Sequence, residues 1–150
     1  MSEMLGNQYF LGRKYSLAMA ELEDVVAQDP GNKVAMKKLI ICYTQVGNID
    51  AALKTFHNLI SEDIEFIINT DVVSDDCPCP ELVVKEDDHV ETLTSLKEFL
   101  MFGILWLFCN PEKSKMYLEK ALEINPNLSL VKSSISLINA YIEKHNTHAN

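Results

Sequence analysis

Residues 5–30 read LGNQYFLGRKYSLAMAELEDVVAQDP. The apolar residues recur at helical spacing, which predicts two short helices, Met4 to about Gly12 and Tyr15 to about Gln28. Gly12-Arg13-Lys14 is the turn between them, and Asp29-Pro30 stops the second, because proline disfavours a helical residue before it. A shift of 34 residues repeats the pattern: Leu5 falls on Leu39, Tyr9 on Tyr43, Ala18 on Ala52, Leu22 on Phe56 and Val25 on Leu59. A fixed period of about 34 residues with helix–turn–helix content is the signature of a helical solenoid.

The second repeat begins at Lys33. Asn32 is its expected N-cap and Val46 its last helical residue. Asp50 is the expected cap of the next helix, Ala51 to about Ile60. The closing proline is missing, since Ile64 stands at its place, and this helix can run on to Ile68. A third copy lies at 95–126, where Pro126 matches Pro30, Leu118 matches Leu22 and Ser114 matches Ala18. It is displaced from the second copy by 62 residues, one period plus an insertion of 28. Helix is expected from about Asp88 to Cys109 and from Glu112 to Ile124, and Pro111 suits a first helical position. An amphipathic helix, Leu128 to about His145, follows and would cover the open end of a solenoid. Residues 146–150 are expected to fray.

The chain has 150 residues and a net charge of −9. That sign argues against nucleic acid and anionic membrane, both of which need clustered Lys and Arg. The charge is uneven: residues 67–94 hold one basic and eight acidic groups, net −7, against −3 before and +1 after. The insertion is therefore read as an acidic loop, with Cys77-Pro78-Cys79-Pro80 unable to hold a helix and Glu81–Val84 as a short extended piece. The first residues lack a basic region followed by an apolar run, so no signal peptide is expected. The longest apolar run, Phe99–Cys109, falls short of the roughly 20 residues of a membrane span. Four cysteines, two within predicted helices, do not look like a disulfide framework and point to a reduced, cytoplasmic protein.

Together these residues resemble the tetratricopeptide repeat (TPR). Its pattern is Trp-x2-Leu-Gly-x2-Tyr, then Ala-x3-Phe, then Pro. Leu5-Gly6, Tyr9, Ala18, Leu22 and Pro30 carry it in the first repeat, and Leu39, Tyr43, Gly47, Ala52 and Phe56 in the second. Ile40 and Ile64 depart from it, and in the third repeat Gly103 lies one place from the expected glycine. The resemblance implies an all-α fold, a right-handed TPR-like α-α superhelix. It implies one domain over 1–150, with repeats at about 1–32, 33–66 and 95–126, the acidic insertion 67–94 and a capping helix at 127–145. It also implies that the first helix of each pair lines a concave groove for a protein or peptide partner. By register, the groove residues are Asn7, Phe10 and Leu11, then Val34, Lys37, Ile41 and Gln45, then Phe99 and Trp106. One subclass holds a carboxylate with Lys, Asn and Arg. Here Asn7 alone matches, while Glu3, Lys38, Leu96 and Leu100 fill the other places, which argues against a chaperone-tail adaptor.

The expected function is non-enzymatic: a module that binds a hydrophobic or amphipathic segment, as an adaptor, chaperone-like protein or assembly factor. No Gly-rich phosphate loop, nucleophile motif or paired histidine suggests catalysis. No cofactor is expected. One alternative is a metal- or thiol-dependent module at Cys77 and Cys79, although structural zinc normally takes four ligands. Another is a homodimer through the apolar third repeat, because a helix apolar all round must be covered all round.

Overall fold

The computed structural model describes residues 2–71, 73, 77–87 and 95–149. It contains eight helices and no strand among them. Packing divides the chain into two compact units, 1–59 and 60–150.

The first unit holds α1 (Ser2–Leu11), α2 (Tyr15–Gln28), α3 (Lys33–Val46) and the first part of α4 (Ile49–Ile68). α1 packs on α2, and α2 on α3. Most of the residues that repeat at 34 lie in its core: Ala18, Leu22, Ala52, Phe56 and Leu59 are fully buried, while Leu5 is exposed and Tyr9 and Val25 are half-buried. Alanine at 18 and 52 lets paired helices approach closely. The two turns are closed alike. Lys14 N–H donates to Tyr9 O at 2.8 Å, and Asn48 N–H donates to Tyr43 O at 2.9 Å. Both turns need a left-handed residue, which is Arg13 (φ 60°) in one and Gly47 (φ 84°) in the other. Glycine takes that conformation without the steric cost borne by a residue with a Cβ. Gly12 is thus one place away from where its freedom would be used. Asn32 caps α3 as expected, accepting from Ala35 N–H at 3.0 Å. The cap of α4 is not Asp50. The helix starts earlier, at Ile49, and Asn48 accepts from Ala51 N–H at 3.3 Å.

The second unit holds the end of α4, α5 (Cys79–Asp87), α6 (Leu96–Trp106), α7 (Pro111–Ile124) and α8 (Ser129–Ala149). α6 packs on α7 and α7 on α8, with α5 against α6. The extended reading of Glu81–Val84 was incorrect, since these residues lie in α5. Pro80 falls in its first turn, where a missing N–H breaks no helical bond. The helix expected from Asp88 is observed from Leu96, with Ser95 accepting from Glu98 N–H. Residues 88–94 lie outside the described residues. α6 ends at Trp106, and 107–109 form a turn. α7 starts on Pro111, with Asn110 accepting from Lys113 N–H. α8 continues to Ala149, beyond the expected frayed point.

The third repeat reproduces the first where it packs. A Cβ on Gly6 would lie 3.1 Å from the Leu22 side chain, and one on Gly103 would lie 2.5 Å from that of Leu118. Each glycine lets the first helix of its pair press on the buried leucine of the second. Gly6 and Gly103 differ by 97 positions while Leu22 and Leu118 differ by 96, so α6 is offset by one residue relative to α7. Ser114, at the place of Ala18 and Ala52, is also fully buried. Its hydroxyl donates to Gly103 O at 2.5 Å, which satisfies the added polar group. No helix among the described residues is long and apolar enough to cross a membrane.

Candidate interaction surface

In the first unit, α1 and α3 are tied by polar contacts. Lys38 Nζ donates to Asn7 Oδ1 at 2.9 Å and lies 5.7 Å from the centroid of the Phe10 ring. Asn32 Nδ2 donates to Glu3 Oε1 at 3.2 Å. Phe10 is itself buried and meets Tyr15 edge-on, with centroids 6.2 Å apart. Lys38 therefore rests on a fixed aromatic face, an arrangement worth about 0.5–1 kcal/mol at exposed sites.

Around this pair sit apolar side chains in solvent: Leu11 is 58% exposed, Val34 47% and Met4 69%. Met4, Asn7 and Leu11 share one face of α1, at i, i+3 and i+7. Gln45 is half-buried and donates to Thr44 Oγ1 at 3.2 Å. Ile41 and Lys37 are buried, at 2% and 7% exposed. Of the groove residues expected in these two helices, Leu11 and Val34 present most surface, Asn7 and Gln45 are partly accessible, and Phe10, Lys37 and Ile41 are interior.

Phe99 and Trp106 sit in the second unit and are each 7% exposed. Their neighbours are on α7: the Phe99 ring lies 6.5 Å from Tyr117, and Lys113 Nζ lies 4.6 Å from the Trp106 ring. The Trp106 indole N–H is buried without a hydrogen-bond partner among the described residues. The one-residue offset of α6 explains the orientation. A groove register carried over from repeat one places Gly103 on the open side, but the observed Gly103 faces Leu118.

Sequence reasoning missed two local sites. Tyr43 donates to Glu23 Oε2 at 2.7 Å, joining α3 to α2, and burial, then this bond, pushes its phenol well above the ordinary value. The thiols are the other. Cys77 and Cys79 are buried and share a hydrogen bond, and Cys109 is close enough to act on both electrostatically. Cys109 is not a helical apolar residue but a surface residue in the turn after α6. Burial, then Cys77, raises its thiol to about 11. Burial raises the Cys79 thiol well above its usual value, and the Cys42 thiol to about 12. Raised values keep thiols protonated, which blunts both nucleophilicity and metal ligation. Among the described residues no three His, Cys, Asp or Glu side chains converge in a geometry suited to a metal ion.

A family model described as tetratricopeptide repeat matches residues 11–63. Over those residues the chain is similar to tetratricopeptide repeats, and the all-helical fold is consistent with such a repeat protein. The match runs from the last residue of α1 to Asp63, where α4 departs from helical geometry. The matched segment therefore holds both left-handed turns and the α2–α3 packing. TPR repeats are, as a class, protein–protein interaction modules and generally not catalytic. Neither curated proteins nor solved structures gave a match.

Proposed function

We propose that this chain is a non-enzymatic TPR-like module over 1–150, which takes a hydrophobic or amphipathic partner segment on the α1/α3 face of its first unit. It would serve as an adaptor, chaperone-like protein or assembly factor. One observation carries the reading: Leu11 and Val34 stay exposed on helices that the Lys38–Asn7 bond holds together. Apolar side chains held in water by a rigid frame bind with little ordering cost. The polar pair between them can meet a partner's backbone or side-chain groups. Interfaces draw most of their energy from a few such anchors.

Phe99 and Trp106 support α6 from within, so partner contacts there would be limited to ring edges. The burial of Phe102–Phe108 within the chain supports self-coverage of the third repeat over a homodimer through it. A reducing, cytoplasmic setting fits the cysteine usage of the sequence, four thiols without the spacing of a disulfide framework. The test is affinity capture with the full chain and with Leu11→Asp/Val34→Asp. Both positions are exposed, so helicity should be unchanged while a specific partner is lost. Equal capture by both proteins would remove the α1/α3 face from consideration.

A further inference from the structure

The geometry points to a second docking surface: a cleft in the second unit, between the end of α4 and the C-terminal half of α8, that takes a cationic peptide segment carrying an apolar side chain. The cleft has a volume of about 390 Å³. Residues 60–65 form one wall, and Leu137, Ala140, Tyr141 and Lys144 form the other. This surface does not involve α1 or α3, and the inference stands apart from the function proposed above.

The α8 wall is spaced i, i+3, i+4 and i+7, a single helix face. At a rise of 1.5 Å per residue it extends for about 10 Å. An open strip of that length suits a chain segment better than a compact molecule. Its base is apolar: Ile60 is buried, Ile64, Leu137 and Tyr141 are half-buried, and Ala140 is exposed. The opposite wall contains the break in α4, at Asp63 (φ −160°, ψ 80°). Residues 60–65 include neither proline nor glycine, the usual local causes of a sharp kink. The break falls 34 residues after Asp29, which closes α2 with a similar extended backbone (φ −136°, ψ 82°), so it is the repeat's closing position without its proline, and it coincides with the cleft.

Charge decides the occupant. Glu62, Asp63, Glu65 and Lys144 line the cleft, a net of −2 over the lining residues. Glu62 and Glu65 are exposed. His145 already places its Nε2 3.8 Å from Glu65 Oε1 while stacking on Tyr141, with ring centroids 3.9 Å apart. An imidazole thus fits beside this wall in the folded chain, and a partner's guanidinium would pair there with Glu65 and Glu62. A second copy would bring its own acidic rim and a net charge of −9. The chain's acidic insertion, net −7, and nucleic acid carry the same disfavoured sign.

The probe is a short fluorescein-labelled peptide with a Leu-x-x-Leu pair flanked by arginines, read by fluorescence anisotropy with the full chain at low ionic strength. A counterpart with glutamates for arginines is the control. The arginine peptide should bind saturably and the glutamate peptide should not. Ala140→Trp, which fills the cleft without changing charge, and Glu62→Lys/Glu65→Lys should each weaken binding by about tenfold or more. Glu119→Lys/Glu123→Lys makes the same charge change at exposed sites on α7 and should leave binding nearly intact. Circular dichroism verifies that each variant is folded, and the two cleft variants test the site independently. No saturable binding, or equal loss in the α7 control, overturns the proposal. So does a concentration-dependent dimer in sedimentation that Ala140→Trp dissolves, which would assign the cleft to a second copy.

Discussion

Gly103→Ala tests whether the third repeat packs as the first does. An added Cβ would fall 2.5 Å from Leu118 Cδ2, 2.8 Å from its Cγ and 3.3 Å from its backbone nitrogen. Leu118 is fully buried and cannot swing into solvent. Overpacking of this kind costs about 1–3 kcal/mol. Alanine also improves helix propensity over glycine by about 1 kcal/mol, which offsets part of the cost. The net expectation is a loss of about 1 kcal/mol, or roughly 2–4 °C in Tm for a chain of this size. Gly6→Ala is the internal comparison, because its Cβ would lie 3.1 Å from Leu22 and a shift of a few tenths of an ångström relieves it. That variant should be near neutral. Urea unfolding read by Trp106, the single tryptophan, reports the second unit directly. Leu118→Ala alone should cost about 2–5 kcal/mol. In that background Gly103→Ala should become stabilising, because the clash is gone and the propensity gain remains. A Gly103→Ala variant that stabilises the native background, or shows no coupling to position 118, would refute the close α6–α7 approach.

Other predictions follow from the caps, turns and thiols. Gly47→Ala should cost about 1–2 kcal/mol in thermal denaturation, since an L side chain is strained at φ 84°, whereas Gly12→Ala should be mild. Asn32→Ala should cost about 1 kcal/mol by loss of the bond to Ala35 N–H, measured by the same method. Native thiol labelling with iodoacetamide should modify Cys109 before the buried Cys42 and Cys79, and comparable rates would contradict the packing around α5 and α3. The Cys42 thiol rises from 9.0 to about 12 on burial, so the stability of its neutral form is full below about pH 9. It is lost as pH rises from 9 towards 12, and Cys42→Ala should flatten this alkaline decline in Tm.

The all-α architecture was legible because it rests on local signals. The 34-residue recurrence of small and large apolar residues, with Asn32 and Pro111 at helix starts, suffices to define the paired helices. What was not legible depends on tertiary position. Periodicity assigned α6 by counting back from α7, but the contact of Gly103 with Leu118 shows a one-residue offset, and this turns Phe99 and Trp106 towards α7. Composition reads 77–80 as loop, because two prolines discourage helix in general, and 81–84 as a short extended piece. Here Pro80 occupies the first turn, where it breaks no bond. The break at Asp63 lies at the repeat position of Asp29, but without the closing proline the helix is expected to run on to Ile68, so the cleft beside the break was not foreseen. On α1 and α3, register could not separate the exposed Leu11 and Val34 from the interior Phe10 and Ile41. That distinction depends on how neighbouring helices cover each side chain.

The interaction surface is most directly tested by site-specific photo-crosslinking in cells. A photoreactive phenylalanine analogue is placed at position 11 or 34, and separately at the exposed α2 position 27. Discrete crosslinked protein bands shared by positions 11 and 34 and absent from position 27 are the predicted result. No bands at 11 and 34, or the same bands from position 27, would contradict a partner site on the α1/α3 face.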